Sequence, residues 1–257
     1  MNEGKDPATT LGEAWDNLID ALNHEAPFCW VSAAATWILD KLAALLERAE
    51  KEEDTMDSKT EFLTIYRENI TRKGAGDLLA YLENETDFFE APASTKFHGA
   101  HPGGLVEHSL NVYRRLRSIT CRDTATDGNG RMAAETEESV AVMALLHDIC
   151  KADCYHVETK RRRNPDSGQW EDYQAYTFRD PFPLGHGEKS IYIISRYMSL
   201  NAAEALAIRW HMGAYDTAAK ADSRDFSAAM NMTPLVWRLH EADMCASWID
   251  EKEDGPK

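Results

Sequence analysis

Positive charge, cysteine and long apolar runs are all scarce in this chain, and each shortage excludes something. Lys and Arg total 28 against 44 Asp and Glu, for a net charge of −16. A surface this acidic repels long polyanions, so broad sequence-independent binding of extended DNA or RNA is disfavoured. A small anionic substrate held by local cations or metals stays compatible. The five cysteines are odd in number and follow no repeated spacing, so reduced thiols and a cytoplasmic setting are expected. Met1 to Thr10 is polar and acidic, without an apolar core or a small-residue cleavage site, so no secretory leader is expected. The most apolar run, Phe28 to Leu46, is broken by Asp40 and Lys41 and is too short to span a bilayer. No membrane partner is expected. No internal repeat and no low-complexity tract occurs. A Gly-x-Ser-x-Gly elbow and a Walker-type glycine loop are both missing, so serine-nucleophile and P-loop chemistry have no motif to rest on.

What is present reads as helix. Apolar content of 43% is ordinary for a globular chain. Leu11 to Ala49 carries apolar residues at helical spacing and then dissolves into the charged run Glu47 to Asp54. A boundary near Met56 separates this amino-terminal helical extension, 1–56, whose amphipathic helices suit a homo-oligomer contact. Further helices are expected over Thr60–Thr71, Gly76–Leu82 and Leu105–Ser118, and over Glu137–Ala152. The last three run from about Gly187 to Met198, Ala202 to Met212 and Thr233 to Asp250. Phe88–His101 and Asp123–Gly130 read as loops. Glu137–Ala152 is apolar on most sides, the mark of a central helix. Between Tyr155 and Phe178, alternating residues flank Asn164-Pro165-Asp166-Ser167-Gly168, which predicts a β-hairpin inserted at about 155–179. Residues 57–250 then form the main domain, and 251–257 an acidic tail.

Six residues of metal-binding type run through this domain in the order H…HD…H…H…D: His108, His147, Asp148, His186, His211 and Asp243. Imidazole nitrogens and carboxylate oxygens are what hard or borderline divalent metals prefer. Any one of them alone is better read as a core or capping residue. His108 falls on the buried stripe of Leu105, Val112 and Leu116. His147 and Asp148 follow Ala144-Leu145-Leu146, where an ionised carboxylate costs several kcal/mol unless compensated. Asp243 poses the same problem between Leu239 and Ala246. His186 opens a helix, where the macrodipole disfavours imidazolium and so favours the neutral ring that binds metal. His211, four after Ala207 and three after Ile208, also faces inward. Cys150 and Cys154 lack a second cysteine pair for zinc and are expected to be structural.

Five stretches carry a resemblance: "APASTKFHGAHPGGLVEHSLNVY" from Ala91, "ALLHDICKADCY" from Ala144, "FPLGHGEKS" from Phe182, "EALAIRWHMG" from Glu204 and "LHEADMCAS" from Leu239. Together they resemble the HD-domain superfamily of metal-dependent phosphohydrolases, over roughly Lys59 to Trp248. The resemblance implies an all-α HD-domain helical bundle, here with the hairpin insert and the amino-terminal extension. It implies that His108, His147, Asp148 and Asp243 match the four ligands shared across the superfamily. His186 and His211 match the extra pair of its two-metal members, with Asp148 bridging.

The implied function is hydrolysis of a phosphoester or phosphoanhydride in a nucleotide or other small phosphorylated substrate. Divalent ions of the Mn, Fe, Co, Ni, Zn or Mg type would activate a hydroxide, so no side-chain nucleophile is needed. Asp148 and Lys151 are the expected catalytic residues. Lys151, four past His147, matches a lysine that commonly meets substrate phosphate in HD enzymes. Lys96 and His98 are expected to line the same pocket with it, and His101 and His240 are lesser candidates. The basic run Lys160-Arg161-Arg162-Arg163 is a strand edge or a steering patch for polyphosphate. Trp170, Tyr173 and Tyr176 either stack on a base or pack the hairpin. Two alternatives share the site: a mixed-valent di-iron oxygenase of the same superfamily, and a 3′–5′ exonuclease on single-stranded nucleic acid.

Overall fold

The computed structural model describes residues 57–123, 134–164 and 167–252. The expected amino-terminal helices and the boundary near Met56 lie outside these residues, as do most of the Asp123–Gly130 loop and the end of the acidic tail. The described part is mostly helical with one two-stranded antiparallel sheet. No helix among the described residues is long and apolar enough to cross a membrane.

The central element is α4, Ala134–Leu146 (after α1, Ser58–Asn69; α2, Ala75–Asn84; and α3, Gly104–Asp123). Every residue from Val140 to Leu146 is fully buried, as its apolar character on all sides predicts. Around it pack α1, α3 and α6, the last spanning Ala202–Trp210, and α9, Leu235–Cys245, packs on α3 and α6. Phe62, Tyr66, Leu78, Leu105, Leu116, Ile194, Ile208 and Leu239 join this one core. A smaller cluster of Trp210, Ala219, Ala229 and Val236 sits under two short helices, α7 (Thr217–Ala221) and α8 (Arg224–Met232). Asp216 caps α7 by accepting from the Ala218 and Ala219 amides and is paired with Arg209.

Two of the differences from the sequence expectation concern the site. α4 does not continue to Ala152. It stops at Leu146, and a separate 3₁₀ turn follows at Ile149–Lys151. The His147 ring caps the end through Nδ1, 2.8 Å from the Ala144 carbonyl, and Asp148 leaves the helical region at φ −108°, ψ 14°. The doublet therefore projects from the end of a buried helix rather than from its side. Likewise α9 ends at Cys245 and passes into a π-helical turn, Ala246–Asp250, a local widening common at functional sites.

The hairpin is formed by β1, Tyr155–Arg163, and β2, Trp170–Phe178, in a register from Tyr155↔Phe178 to Arg163↔Trp170. It is mostly exposed and is tied down near its base, where Tyr155 Oη donates to the Ala93 carbonyl at 3.0 Å. α5, His186–Ser195, then crosses α6 so closely that a Cβ on Gly187 would lie 2.5 Å from the Arg209 carbonyl oxygen. Only glycine permits that approach, and it brings His186 up against His211.

A polar clamp holds this arrangement. Glu204 is buried and accepts from both Arg72 guanidinium nitrogens, at 2.8 and 2.9 Å, from Ser139 at 2.6 Å and from the Asn201 amide at 3.0 Å. Burial pushes its carboxyl up, but the Arg72, Ser139 and Asn201 donors outweigh that and hold it below the usual range. A depressed folded-state value stabilises the fold above the unfolded value of about 4.3 and loses that contribution as pH falls through the folded one. Glu204→Gln should therefore cost about 2–3 kcal/mol at pH 7, less than for a fully sealed pair because Arg72 is partly exposed and keeps Glu138. It should also flatten the acid limb of the stability curve below about pH 4. Denaturant unfolding at pH 7 and across pH 3–6 measures both; an unchanged midpoint at pH 7 would reject the clamp.

Candidate metal centre

All six residues singled out in the sequence meet in one place. His108 comes from α3, His147 and Asp148 from the end of α4, and His186 from the first residue of α5. His211 comes from the end of α6 and Asp243 from α9. His108, His147, Asp148, His211 and Asp243 are buried; the His186 ring is the partly exposed member, at the rim. Asp148 is the hub. Its Oδ1 lies 2.7 Å from His186 Nε2 and 3.3 Å from His211 Nε2. Its Oδ2 lies 3.6 Å from His108 Nε2 and 3.5 Å from His147 Nε2. Asp243 Oδ1 is 3.3 Å from His108 Nε2.

Each ring is oriented from behind through Nδ1. His147 faces the Ala144 carbonyl at 2.8 Å and His211 the Ile208 carbonyl at 2.7 Å. A carbonyl can only accept, so both rings donate from Nδ1, and in the neutral ring Nε2 keeps its lone pair. His147 Nε2 is 3.3 Å from His108 Nε2, and His211 Nε2, fully buried, makes no hydrogen bond although Asp148 is near. A ring lone pair facing a carboxylate oxygen in a buried site, as where neutral His211 Nε2 meets Asp148 Oδ1, is unfavourable unless a cation lies between. The donor set therefore fits a divalent metal on the chain's own geometry. The combinations His108–His147–Asp243, His147–Asp148–His211 and Asp148–Cys150–His186 each cluster tightly enough to hold an ion.

Protons carry part of the compensation. Burial lowers His108, but Asp243 and Glu251 outweigh it and lift the ring to about 9. Burial also lowers His186, while Cys150 and Asp148 lift it to about 10. The helix-start argument for a neutral His186 thus fails in the metal-free chain, because a carboxylate at 2.7 Å outweighs a partial helix charge. His147 goes the other way: burial takes it down to about 3, against the pull of Asp148. Burial raises Asp148, yet Lys151, His147 and His186 hold it well below the usual carboxylate range.

Two contacts went unread in the sequence. Glu251 faces His108 Nδ1 with both oxygens at 3.1 Å and is steadied by Asn111 Nδ2 at 3.0 Å. In sequence it belongs to an acidic tail, and nothing there signals the π-helical turn that swings it inward. Cys150, expected to be merely structural, sits with Sγ 3.4 Å from His186 Nδ1. The four rings are thus backed by two carbonyls, a carboxylate and a sulfur.

The other candidates divide. Lys151 lies beyond the end of α4, on the 3₁₀ turn, with Nζ 2.7 Å from Asp148 Oδ2. It lines a cavity of about 390 Å³ with Asp148, His186, Asp243 and His98. Burial, then His108 and Lys151, hold His98 down to about 4, so its ring is neutral near pH 7. Phe97, Met212, Tyr215, Met244 and Trp248 give that cavity apolar walls. Lys96 does not line it; the chain turns between residues 96 and 97, and Lys96 faces a separate cleft under the hairpin. His101 pairs with Glu107 at 3.3 Å, away from the centre, and His240 lies behind His211, Nδ1 2.6 Å from its carbonyl.

A family model described as HD domain matches residues 105–248, more than half of the chain. No curated protein and no solved structure matches it. Glu251 lies three residues past that match. Carboxylates behind ligand histidines typically contribute 10–100-fold in metal affinity. Glu251→Gln should therefore weaken metal binding by about that factor, read by competition with a chromogenic chelator, with the far-ultraviolet circular dichroism unchanged. Native affinity in the variant would remove Glu251 from the site.

Proposed function

The chain belongs to the HD-domain family, and on that premise we propose that it is a metal-dependent phosphohydrolase acting on a nucleotide or another small phosphorylated substrate. The family is mostly one of metal-dependent hydrolases, and HD domains bind divalent metals. The observation that carries the finer proposal is the two-sided setting of Asp148. One oxygen faces His186 and His211, and the other faces His108 and His147, with Asp243 beside them. That division suits two ions sharing one bridging carboxylate. Divalent ions held there supply Lewis acidity, lowering the pKa of a water and offsetting charge on a phosphoryl group.

The chain's own groups then do the rest. Lys151 keeps one N–H on Asp148 and has others to offer a phosphoryl oxygen from the cavity floor. It is buried in a contact that raises its pKa, so it stays a cation throughout the working range; burial opposes this, and Asp148 outweighs it. His98, a neutral ring in the same wall, can accept or donate a hydrogen bond at the leaving-group side. The apolar walls exclude water, which strengthens each of these contacts, and give a flat organic body somewhere to lie. A volume of about 390 Å³ falls within the range of small-ligand pockets. The four described cysteines are all free, which fits the proposed cytoplasmic setting.

Protein purified without chelator should carry metal by elemental analysis. It should release phosphate, pyrophosphate or nucleoside from at least one member of a nucleotide panel assayed with manganese, cobalt and magnesium. Asp148→Ala should lose both bound metal and turnover, the rate falling on the order of a thousandfold, or about 4 kcal/mol of transition-state stabilisation. Asp243→Asn should move both quantities the same way, which guards against a misfolded alanine variant. Native turnover by the Asp148→Ala protein would place the chemistry elsewhere.

A further inference from the structure

The loop over residues 95–98 is a ridge between two cavities. Phe97 and His98 line the cavity above the metal centre, while Thr95 and Lys96 line a cleft of about 430 Å³ on the other side. The far wall of that cleft is the hairpin, with Lys160 from β1 and Tyr173, Gln174 and Tyr176 from β2. Lys96 Nζ sits 5.1 Å above the Phe97 ring centroid, so its ammonium stands at the crest of the ridge.

The charge pattern singles this cleft out. Arg161 and Arg162 are neutralised across the hairpin by Asp172 at 3.1 Å and Glu171 at 2.7 Å. Arg163 spends its Nε on the Gly168 carbonyl at 2.8 Å. Lys160 and Lys96, by contrast, have no ion-pair partner among the described residues. In a chain of net charge −16, two such ammonium groups lining one cleft concentrate positive potential where the surface is otherwise negative. The tyrosine and glutamine side chains in the same wall carry neutral donors and no competing carboxylate.

We propose that this cleft is an anion subsite for a second phosphate group of the substrate, separated by an organic body from the phosphate that reacts. The proposal rests on the phosphohydrolase reading and adds a substrate class: compounds bearing two separated phosphates. The body crosses the ridge over Phe97, and the distal phosphate lies between Lys96 and Lys160. Lysines recognise phosphate as point charges, so the subsite selects for charge and spacing rather than for the base.

The test compares adenosine 3′,5′-bisphosphate with adenosine 5′-monophosphate by titration calorimetry, on metal-loaded protein and again with chelator present. The shared adenosine cancels any base preference. Two exposed charge contacts predict that the bisphosphate binds up to about tenfold tighter, with the margin shrinking as salt rises. In the Lys96→Ala/Lys160→Ala double variant the two ligands should bind alike. Equal affinities in the native protein, or a preference that survives in the double variant, overturns the subsite. A lysine-dependent preference in a protein that turns over no phosphoester would instead leave the subsite standing and sink the hydrolase reading alone.

Discussion

An ionised carboxylate sealed among apolar helices costs several kcal/mol unless positive charge reaches it, and Asp148 is such a carboxylate. Lys151 and the His186 proton satisfy one direction on each oxygen. The remaining space is occupied by His147 and His211, whose outer nitrogens hold their protons against carbonyls and offer only lone pairs inward. The fold has spent its rigid elements on holding acceptors together. α4 is buried on every side and ends at the site, α3 and α9 flank it, and the α5–α6 crossing at Gly187 closes it. Taking up cations, as HD domains do, would relieve the electrostatics of such a cluster. On the proposed function, stability and activity would depend on the same charge.

Why the rings can be so placed is a question of what stands behind them. Two of the four are locked by carbonyls three residues back in their own helices, an arrangement any helix end can provide. The other two depend on tertiary packing: Glu251 reaches His108 from the far side of α9, and Cys150 reaches His186 from the 3₁₀ turn. The first pair is a local property of sequence; the second exists only once the helices have docked. The Arg72–Glu204 clamp works at the same level, tying the turn before α2 to the start of α6 and to Ser139 on α4.

This difference between local and tertiary causes explains what could be read in advance. The bundle class was legible because α3 and α9 carry apolar periodicities and α4 is apolar on most sides, and the hairpin because Asn164 to Gly168 interrupts a clean alternation. The six site residues were legible because buried-type helices carry carboxylates and histidines that apolar surroundings would otherwise reject. The early end of α4 was not, since His147 substitutes for the missing backbone partner and no glycine or proline marks the break. Short helix α7 was invisible because five residues hold too little periodicity, and α8, nine residues long, also went unread. Glu251 looked like one more acid in a tail, and Lys96 looked like a neighbour of His98, whose side chain lies across the ridge. One residue of displacement along an irregular loop moved it from one cavity to another.

The placement of the cations follows from the same accounting of charge. Most of the arginines described here are engaged with carboxylates: Arg72 with Glu204, Arg114 with Glu61, Arg115 with Asp250, Arg117 with Glu137 and Arg209 with Glu188 and Asp216. An acidic protein with its cations thus committed presents little attraction to anions over its surface at large. Around the 95–98 loop, Lys151 lies on one side, held by Asp148, and Lys96 and Lys160, without ion-pair partners among the described residues, line the cleft on the other. A long polyanion would meet repulsion everywhere else, whereas a small one needs only that short path. On the proposed reading, the acidity of the surface and the lysines of this loop would act together, the first disfavouring extended polyanions and the second favouring short, multiply charged ones.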